Sequence, residues 1–320
     1  MIISVLNYSH PIYNLGAAKI ARYHRLRGDQ VYESFALNLF CMNVDKTYLS
    51  AIFTWDLPKL IRDANLFKER NISVELGGPA VTAMSDYVER NTGIKPHFGM
   101  DERFEHVRGD FKMEFTSRGC RNNCAWCGVP RLEPVPVEYE DFNIPVGINP
   151  YIGDNNILAT SWEHQVRVVE KLKNVRNLDI NSGFEVGLFT EDYYQLYSKL
   201  HLEAWRIAFD SMAVEADFEK AVKILKNHDV DYRKILVYVL IGFPGTTFDE
   251  AVYRLEKARV LGCSPYPQRY MPLNSTDARK YVAPGWDKRM LELLRLYWVT
   301  PEKWRSCTWR EFLETEDKDV

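Results

Sequence analysis

Between Phe115 and Pro130 the chain reads FTSRGCRNNCAWCGVP, and Cys120, Cys124 and Cys127 stand at a CxxxCxxC spacing. No other stretch constrains the molecule as tightly, because three thiols on one short loop ask for a group that all three can reach. A structural zinc site takes four protein ligands and would need a fourth from His97, His106 or a distant cysteine. A thioredoxin-type pair uses one CxxC and leaves Cys120 without a part. An iron–sulfur cluster that only carries electrons is normally held by four cysteines, whereas three thiolates on a four-iron cluster leave one iron open to a small molecule. The other three cysteines, Cys41, Cys263 and Cys307, are scattered singly and read as small buried hydrophobes.

The composition surrounds that loop with an ordinary globular protein. At 320 residues the chain is long enough for two compact domains, each with its own core. With 46% hydrophobic and 27% charged residues, and no apolar run near the ~20 residues of a membrane span, no membrane partner is expected. A net charge of −3 gives no general attraction to phosphate backbones, so broad nucleic-acid binding is not expected either. The N-terminal MIISVLNYSHP lacks a basic flank and turns polar at Asn7, as a buried strand does and a signal peptide does not. A cytoplasmic location follows, where six cysteines do not form a disulfide framework. The tail ETEDKDV reads as a frayed, solvated end.

The first hundred residues alternate. IISVLNY, TYLSAIFTW and ISVELGG have the apolar runs of buried strands, and LGAAKIARYHRLRG and DLPKLIRDANLFKER those of helices, the first closed by Gly28 and the second capped by Asp56. Such alternation predicts a parallel sheet covered on both faces, a Rossmann- or flavodoxin-like domain over residues 1–108. NTGIKPHFGMDERFEHVRGD, without a period, reads as the linker.

A longer alternation begins at KMEFT. Pro130, Pro134, Pro136 and Pro145 exclude a regular helix after the cysteine loop. INPYIG, LDINS, WRIAFDS, KILVYVLIGF and PQRYMPL then read as strands with helices between them, two of these opened by capping boxes, Thr160 with Glu163 and Thr247 with Glu250. Six such units in about 160 residues predict an open, partial (βα)6 barrel over residues 109–273, since a closed barrel of eight takes ~250. Residues 274–320 add a helical extension whose Trp286, Trp298, Trp304 and Trp309 pack against the barrel.

Here the sequence resembles the radical S-adenosylmethionine superfamily, whose defining loop is CxxxCxxC with an aromatic residue before the last cysteine, the place of Trp126. The resemblance runs through residues 112–273. It implies a single 4Fe-4S cluster on Cys120, Cys124 and Cys127, whose open iron chelates S-adenosylmethionine and drives its cleavage to methionine and a 5′-deoxyadenosyl radical. Where many members carry a GGE-like segment after the second strand, Asp154, Asn155 and Asn156 stand here and offer comparable acceptor oxygens. GFEVGLFT places Glu185 where some members bind the ribose, and RIAFDS aligns Asp210 and Ser211 with the family's cofactor-touching strand end. LIGFPGTT is similar to the GFPGET turn near the adenine, with Gly242, Phe243 and Pro244 matched and Thr246 in place of the usual Glu. Arg269, on the last strand, is the candidate to clamp a carboxylate of substrate or methionine.

The N-terminal domain resembles the cobalamin-binding-like domain of one branch, through ELGGPAVT with Gly77 and Gly78. The DxHxxG motif is absent, and SHPIYN sets His10, Pro11 and Tyr13 where a corrin would need room. The domain therefore reads first as a cover for the barrel. The expected activity is hydrogen abstraction from an organic substrate, with an external one-electron reductant such as flavodoxin or ferredoxin. A cobalamin-dependent radical methyltransferase is the alternative, and a zinc-stabilised binding protein the rival of another class.

Overall fold

The computed structural model describes residues 1–277 and 280–316, so the last four residues of the acidic tail lie outside the described residues. The chain divides into two compact units, one of Met1–Tyr151 with Met271–Lys280 and one of Ile152–Tyr270 with the chain from Tyr281 onward.

In the first unit β1 (Ile2–Asn7), β2 (Gln30–Ser34), β3 (Lys46–Ser50) and β4 (Ser73–Gly77) form one parallel sheet in the order β2-β1-β3-β4. Helix α1 (Leu15–Leu26) starts at Asn14, whose side chain accepts from the Ala17 N–H at 3.1 Å. Its exit needs the left-handed backbone of Gly28, at φ +82°. Helix α2 (Leu57–Glu69) follows β3. One side of the core gathers Leu6, Leu49, Leu60 and Phe67, and the other Ile3, Val5, Ala21 and Tyr48, so the sheet is covered on both faces. Each Leu, Ile, Val or Phe side chain among them, fully buried, contributes about 1.5–3 kcal/mol.

Three sequence expectations shift here. The strand β2 carries the polar, half-exposed QVYES at the sheet edge and so has no apolar signal. The long strand TYLSAIFTW stops at Ser50; beyond the Ala51 N–H, which donates to the Gly77 carbonyl at 3.3 Å, the chain leaves the sheet and enters a 3-10 turn at Thr54–Asp56. Asp56 precedes α2 without capping it; its carboxylate accepts instead from the Ser9 hydroxyl at 2.5 Å.

After the short helices α3 (Pro79–Ala83), α4 (Ser85–Thr92) and α5 (Glu102–Glu105) comes β5 (Met113–Glu114). Strands β6 (Ser117–Arg118) and β7 (Val137–Glu138) pair antiparallel and close the cysteine loop, which holds α6 (Val129–Leu132). The two units divide within strand β8 (Tyr151–Ile152), whose Tyr151 N–H donates to the Lys112 carbonyl at 3.0 Å.

The second unit alternates α7 (Trp162–Leu172), β9 (Asp179–Ile180), α8 (Glu191–Tyr197), β10 (Trp205–Ala208), α9 (Glu215–Asn227), β11 (Ile235–Ile241), α10 (Phe248–Val260) and β12 (Ser264–Arg269). The Asn181 N–H donates to the Ile152 carbonyl, single parallel bridges join Leu178 to Leu202 and Phe184 to Ile207, and β10-β11-β12 is a parallel sheet. Counted with β5 and β8, the strands alternate with helices as a partial (βα)6 barrel requires. The Thr247–Glu250 capping box is present, whereas α7 is capped one residue later than expected, by Ser161 accepting from the His164 N–H at 3.3 Å. The sixth strand starts at Ser264 rather than Pro267; Pro265 and Pro267 are tolerated because β12 is the edge of its sheet. The extension forms α11 (Lys288–Trp298), α12 (Pro301–Ser306) and α13 (Trp309–Glu316), with all four of its expected tryptophans buried. No described helix is long and apolar enough to cross a membrane.

Candidate cofactor site

The cysteine loop leaves β6 through Gly119, whose φ is +75° and where a Cβ would stand 2.5 Å from the Val135 carbonyl oxygen. Only glycine fits that approach. Arg118 donates to Glu133 at 2.6 Å and lies 3.5 Å over the Phe115 ring, while the Gly119 N–H points at the same Glu133 carboxylate at 3.4 Å. The two arms of the loop are thus tied by a ribbon and an ion pair.

Inside that frame the Asn122 N–H donates to Cys120 Sγ and the Val129 N–H to Cys127 Sγ, both at 3.4 Å, and the Cys127 N–H closes on the Cys124 carbonyl at 3.0 Å. Backbone N–H groups aimed at sulfur suit thiolates and are among the groups that tune an iron–sulfur cluster. Cys127 is exposed and Cys120 and Cys124 are half-buried. Burial instead pushes the Cys41 thiol up and that of Cys263 to about 12, which makes both poor nucleophiles and ligands. Cys307 departs from the expectation of full burial: it is half-buried just past the end of α12, its sulfur 3.5 Å from the Lys303 carbonyl. Among the described residues no three His, Cys, Asp or Glu side chains are gathered to hold a metal ion. Thiolates of a four-iron cluster each meet their own iron, and a short loop with backbone N–H groups on two of its sulfurs suits that demand. Trp126, half-buried, directly precedes Cys127.

The second unit brings two of the expected residues together. Asn156, almost fully buried, donates from Nδ2 to Glu185 Oε2 at 2.5 Å, Asp154 is completely buried, and Asn155 is half-buried beside them. Asp210 follows β10 and accepts from the Leu240 N–H at 2.9 Å. Loss of hydration pushes its carboxyl up to about 6, against the opposing pull of that N–H and of Arg254. Arg254 escaped sequence reading. It is 1% exposed, and its guanidinium donates to the carbonyls of Phe209, Leu240 and Glu250 at 2.9, 3.1 and 3.2 Å, locking the ends of β10 and β11. Its signal was a cation among Ala251, Leu255 and Ala258 on the apolar face of α10.

Ser211 accepts from the Ala213 N–H at 3.2 Å and caps the turn at Met212–Val214, the capping duty otherwise open to Asp210. Gly242 has φ +73°, and a Cβ there would meet Leu291 of α11 at 2.9 Å, so this glycine serves close packing. Phe243 sets its ring at a right angle to Tyr270, 4.9 Å away, and Pro244 is exposed beyond it. Arg269 donates to the Tyr281 carbonyl at 2.6 Å.

At the strand ends of the first unit, β1 and β3 are joined by side chains. Asn14 donates to Ser50 at 2.9 Å, and the Ser9 hydroxyl accepts from the Ile52 and Phe53 N–H groups at 2.9 and 3.3 Å. Gly78, at φ +100°, is required by the Ala51 carbonyl 2.5 Å from its Cβ position, whereas nothing lies within 4 Å of the same position on Gly77. Phe35 and Phe40, after β2, are exposed, with His10 against Phe35 at 3.9 Å.

These features define the class: an α/β protein pairing a Rossmann-like sheet with a partial (βα)6 barrel, and carrying a three-thiol loop. The fold is that of the radical S-adenosylmethionine methyltransferase TsrM from Kitasatospora setae. Its structure with cobalamin and a [4Fe-4S] cluster bound matches 84% of this chain and 74% of its own length, at a TM-score of 0.58 and 12% identity. The structure with tryptophan substrate and a SAM analogue matches 84% and 73%, at 0.59 and 10%. No family model and no curated protein matches the sequence.

Proposed function

We propose that this chain is a radical S-adenosylmethionine enzyme with one 4Fe-4S cluster on Cys120, Cys124 and Cys127, acting as a cobalamin-assisted methyltransferase. The observation that carries the reading is the three-thiol loop with its N–H···S bonds, set in a fold shared with TsrM along 84% of the chain. In this reading residues 1–108 are the cobalamin-side domain, 109–273 the barrel and 274–320 a helical extension. When bound, the cluster and cobalamin supply the electron and the methyl carrier; the protein supplies binding, orientation and exclusion of water. Cys120, Cys124 and Cys127 hold the cluster, and Gly119 with the Arg118–Glu133 pair keeps their loop in one shape. Asn156 and Glu185, already hydrogen-bonded, hold the amine and hydroxyl groups of S-adenosylmethionine, with Asp154, Asn155 and Asp210 as further acceptors. Open Gly77 and the apolar Phe35 and Phe40 are the groups in place for a corrin over the strand ends.

Hydrogen abstraction without cobalamin is the second reading. It is favoured by the Asn14–Ser50 and Ser9–Ile52 hydrogen bonds, which already tie together the ends of β1 and β3 where a corrin would need room. Anaerobic purification from cells supplied with cobalamin decides between them. Near-stoichiometric corrin with about four irons supports the methyltransferase, four irons without corrin the second reading, and absence of iron and sulfide sinks both.

A further inference from the structure

Strands β10, β11 and β12 present two unlike faces. Ile235, Val237, Val239 and Ile241 are at most 1% exposed on one face, and Pro265 and Pro267 are buried in register with Val237 and Val239. The opposite face carries Arg206, Tyr238, Tyr266 and Gln268, with Ala208, Leu236 and Leu240 between them. A parallel sheet is ordinarily sealed by apolar side chains on both sides, so a half-open face that sets a guanidinium, two tyrosines and an amide among its aliphatic side chains calls for an occupant.

Its parts are held in place before any ligand arrives. Arg206 grips Asp179 of β9 with two bonds, at 2.5 and 2.7 Å, and turns its remaining arm to the Tyr238 hydroxyl. Such a half-buried ion pair contributes little to stability, because desolvation offsets its attraction. Tyr238 meets its register partner Tyr266 edge to face, with ring centroids 5.8 Å apart at 90°, and Tyr266 remains 40% exposed. Gln268, also exposed, pairs in register with Leu240, whose N–H holds Asp210. A fixed ion pair, two tyrosine rings and an amide therefore follow one another up to the strand end where Asp210 stands.

We infer that this face is the wall on which the substrate lies, and that it takes an uncharged, planar nitrogen heteroaromatic ring. The inference rests on the radical-enzyme reading for the reaction but not for the binding. A ring stacks on the exposed Tyr266, while its nitrogen edge pairs with the Gln268 amide and the Tyr238 hydroxyl. An anion gains nothing from Arg206, which Asp179 already neutralises. An aliphatic chain would cover the Gln268 amide and offer it no partner.

Indoles and purines share this chemistry, and the test separates them. Equilibrium dialysis is run on the anaerobically reconstituted full chain, with excess S-adenosylmethionine and no reductant, using indole-3-acetamide in one arm and guanosine in the other. One of the two should bind. Tyr266→Ala should weaken it about tenfold and Gln268→Ala several-fold, while Tyr266→Phe, which keeps the ring, stays within about twofold. Iron content, measured on each variant, shows that the chain has folded. Binding of neither probe, or equal binding by Tyr266→Ala of normal iron content, overturns the inference. If the chain takes up no iron, the same dialysis on the iron-free protein still reads the wall, so failure of the enzyme reading and failure of this one are told apart.

Discussion

The backbone N–H of Leu240 donates to the carboxylate of Asp210 at 2.9 Å, and this single bond joins the ends of β10 and β11. Although it favours the ionised form, burial wins, and the Asp210 carboxyl titrates at about 6 rather than 3.8. A raised folded-state value means that the folded chain holds this proton more tightly than the unfolded one. Its contribution to stability is complete below pH ~4 and is lost as the pH rises through about 6, with an upper bound of about 3 kcal/mol. Asp210→Asn keeps an oxygen for Leu240 and carries no charge. Urea unfolding should show it gaining on the native chain between pH 4 and 8; a constant difference across that range would refute the shift.

Cys120→Ala, Cys124→Ala and Cys127→Ala should each abolish cluster assembly, while Cys41, Cys263 and Cys307 variants keep it. Iron and acid-labile sulfide after anaerobic reconstitution are the measurement. Full iron in any variant of the first set removes the cluster assignment, and about eight irons in the native chain would contradict a single cluster.

Gly119→Ala tests the frame of the loop. Its φ of +75° disfavours any side chain, and the 2.5 Å approach of the Val135 carbonyl leaves a methyl no room, so the two arms must part. We expect a loss of about 1–3 kcal/mol and poorer iron uptake with all three thiols still present. An alanine variant that assembles its cluster at the native level shows that the clamp is dispensable.

Asn156 and Glu185 should act as one unit. Either alanine variant should weaken S-adenosylmethionine binding about tenfold with iron intact, and the double variant should lose little more. Calorimetric titration of the four proteins is the check: fully additive losses would mean that the 2.5 Å bond between them does not matter to the cofactor.

What the sequence shows follows from how local each signal is. The thiol loop and the strand β11, an unbroken apolar run, are legible because neighbours in sequence make them. Strand β2 is not, since its edge position asks for no apolar residues. Asn156 and Glu185 are each readable as candidates, but their bond joins residues 29 apart and is a property of the fold. The need for Gly119 lies in the Val135 carbonyl, and the need for Gly242 in Leu291, neither of which any local pattern reveals.

Arg254 holds the ends of β10 and β11 and bears on the charge of Asp210. Its burial depresses the guanidinium's own affinity for protons, yet three carbonyls satisfy its N–H groups, and its charge lowers the Asp210 value. Arg254→Met fills the space with an apolar chain but leaves the Phe209 and Leu240 carbonyls without these donors, at a cost of about 1–3 kcal/mol for each group left buried. Loss of the positive charge should also carry the Asp210 titration above 6, so the pH at which S-adenosylmethionine affinity falls on acidification moves upward. The measurement is affinity against pH in the variant and the native chain. A lost affinity with an unmoved midpoint would assign Arg254 a purely mechanical role at the strand ends; a shifted midpoint shows that it sets the charge of the carboxylate it holds in place.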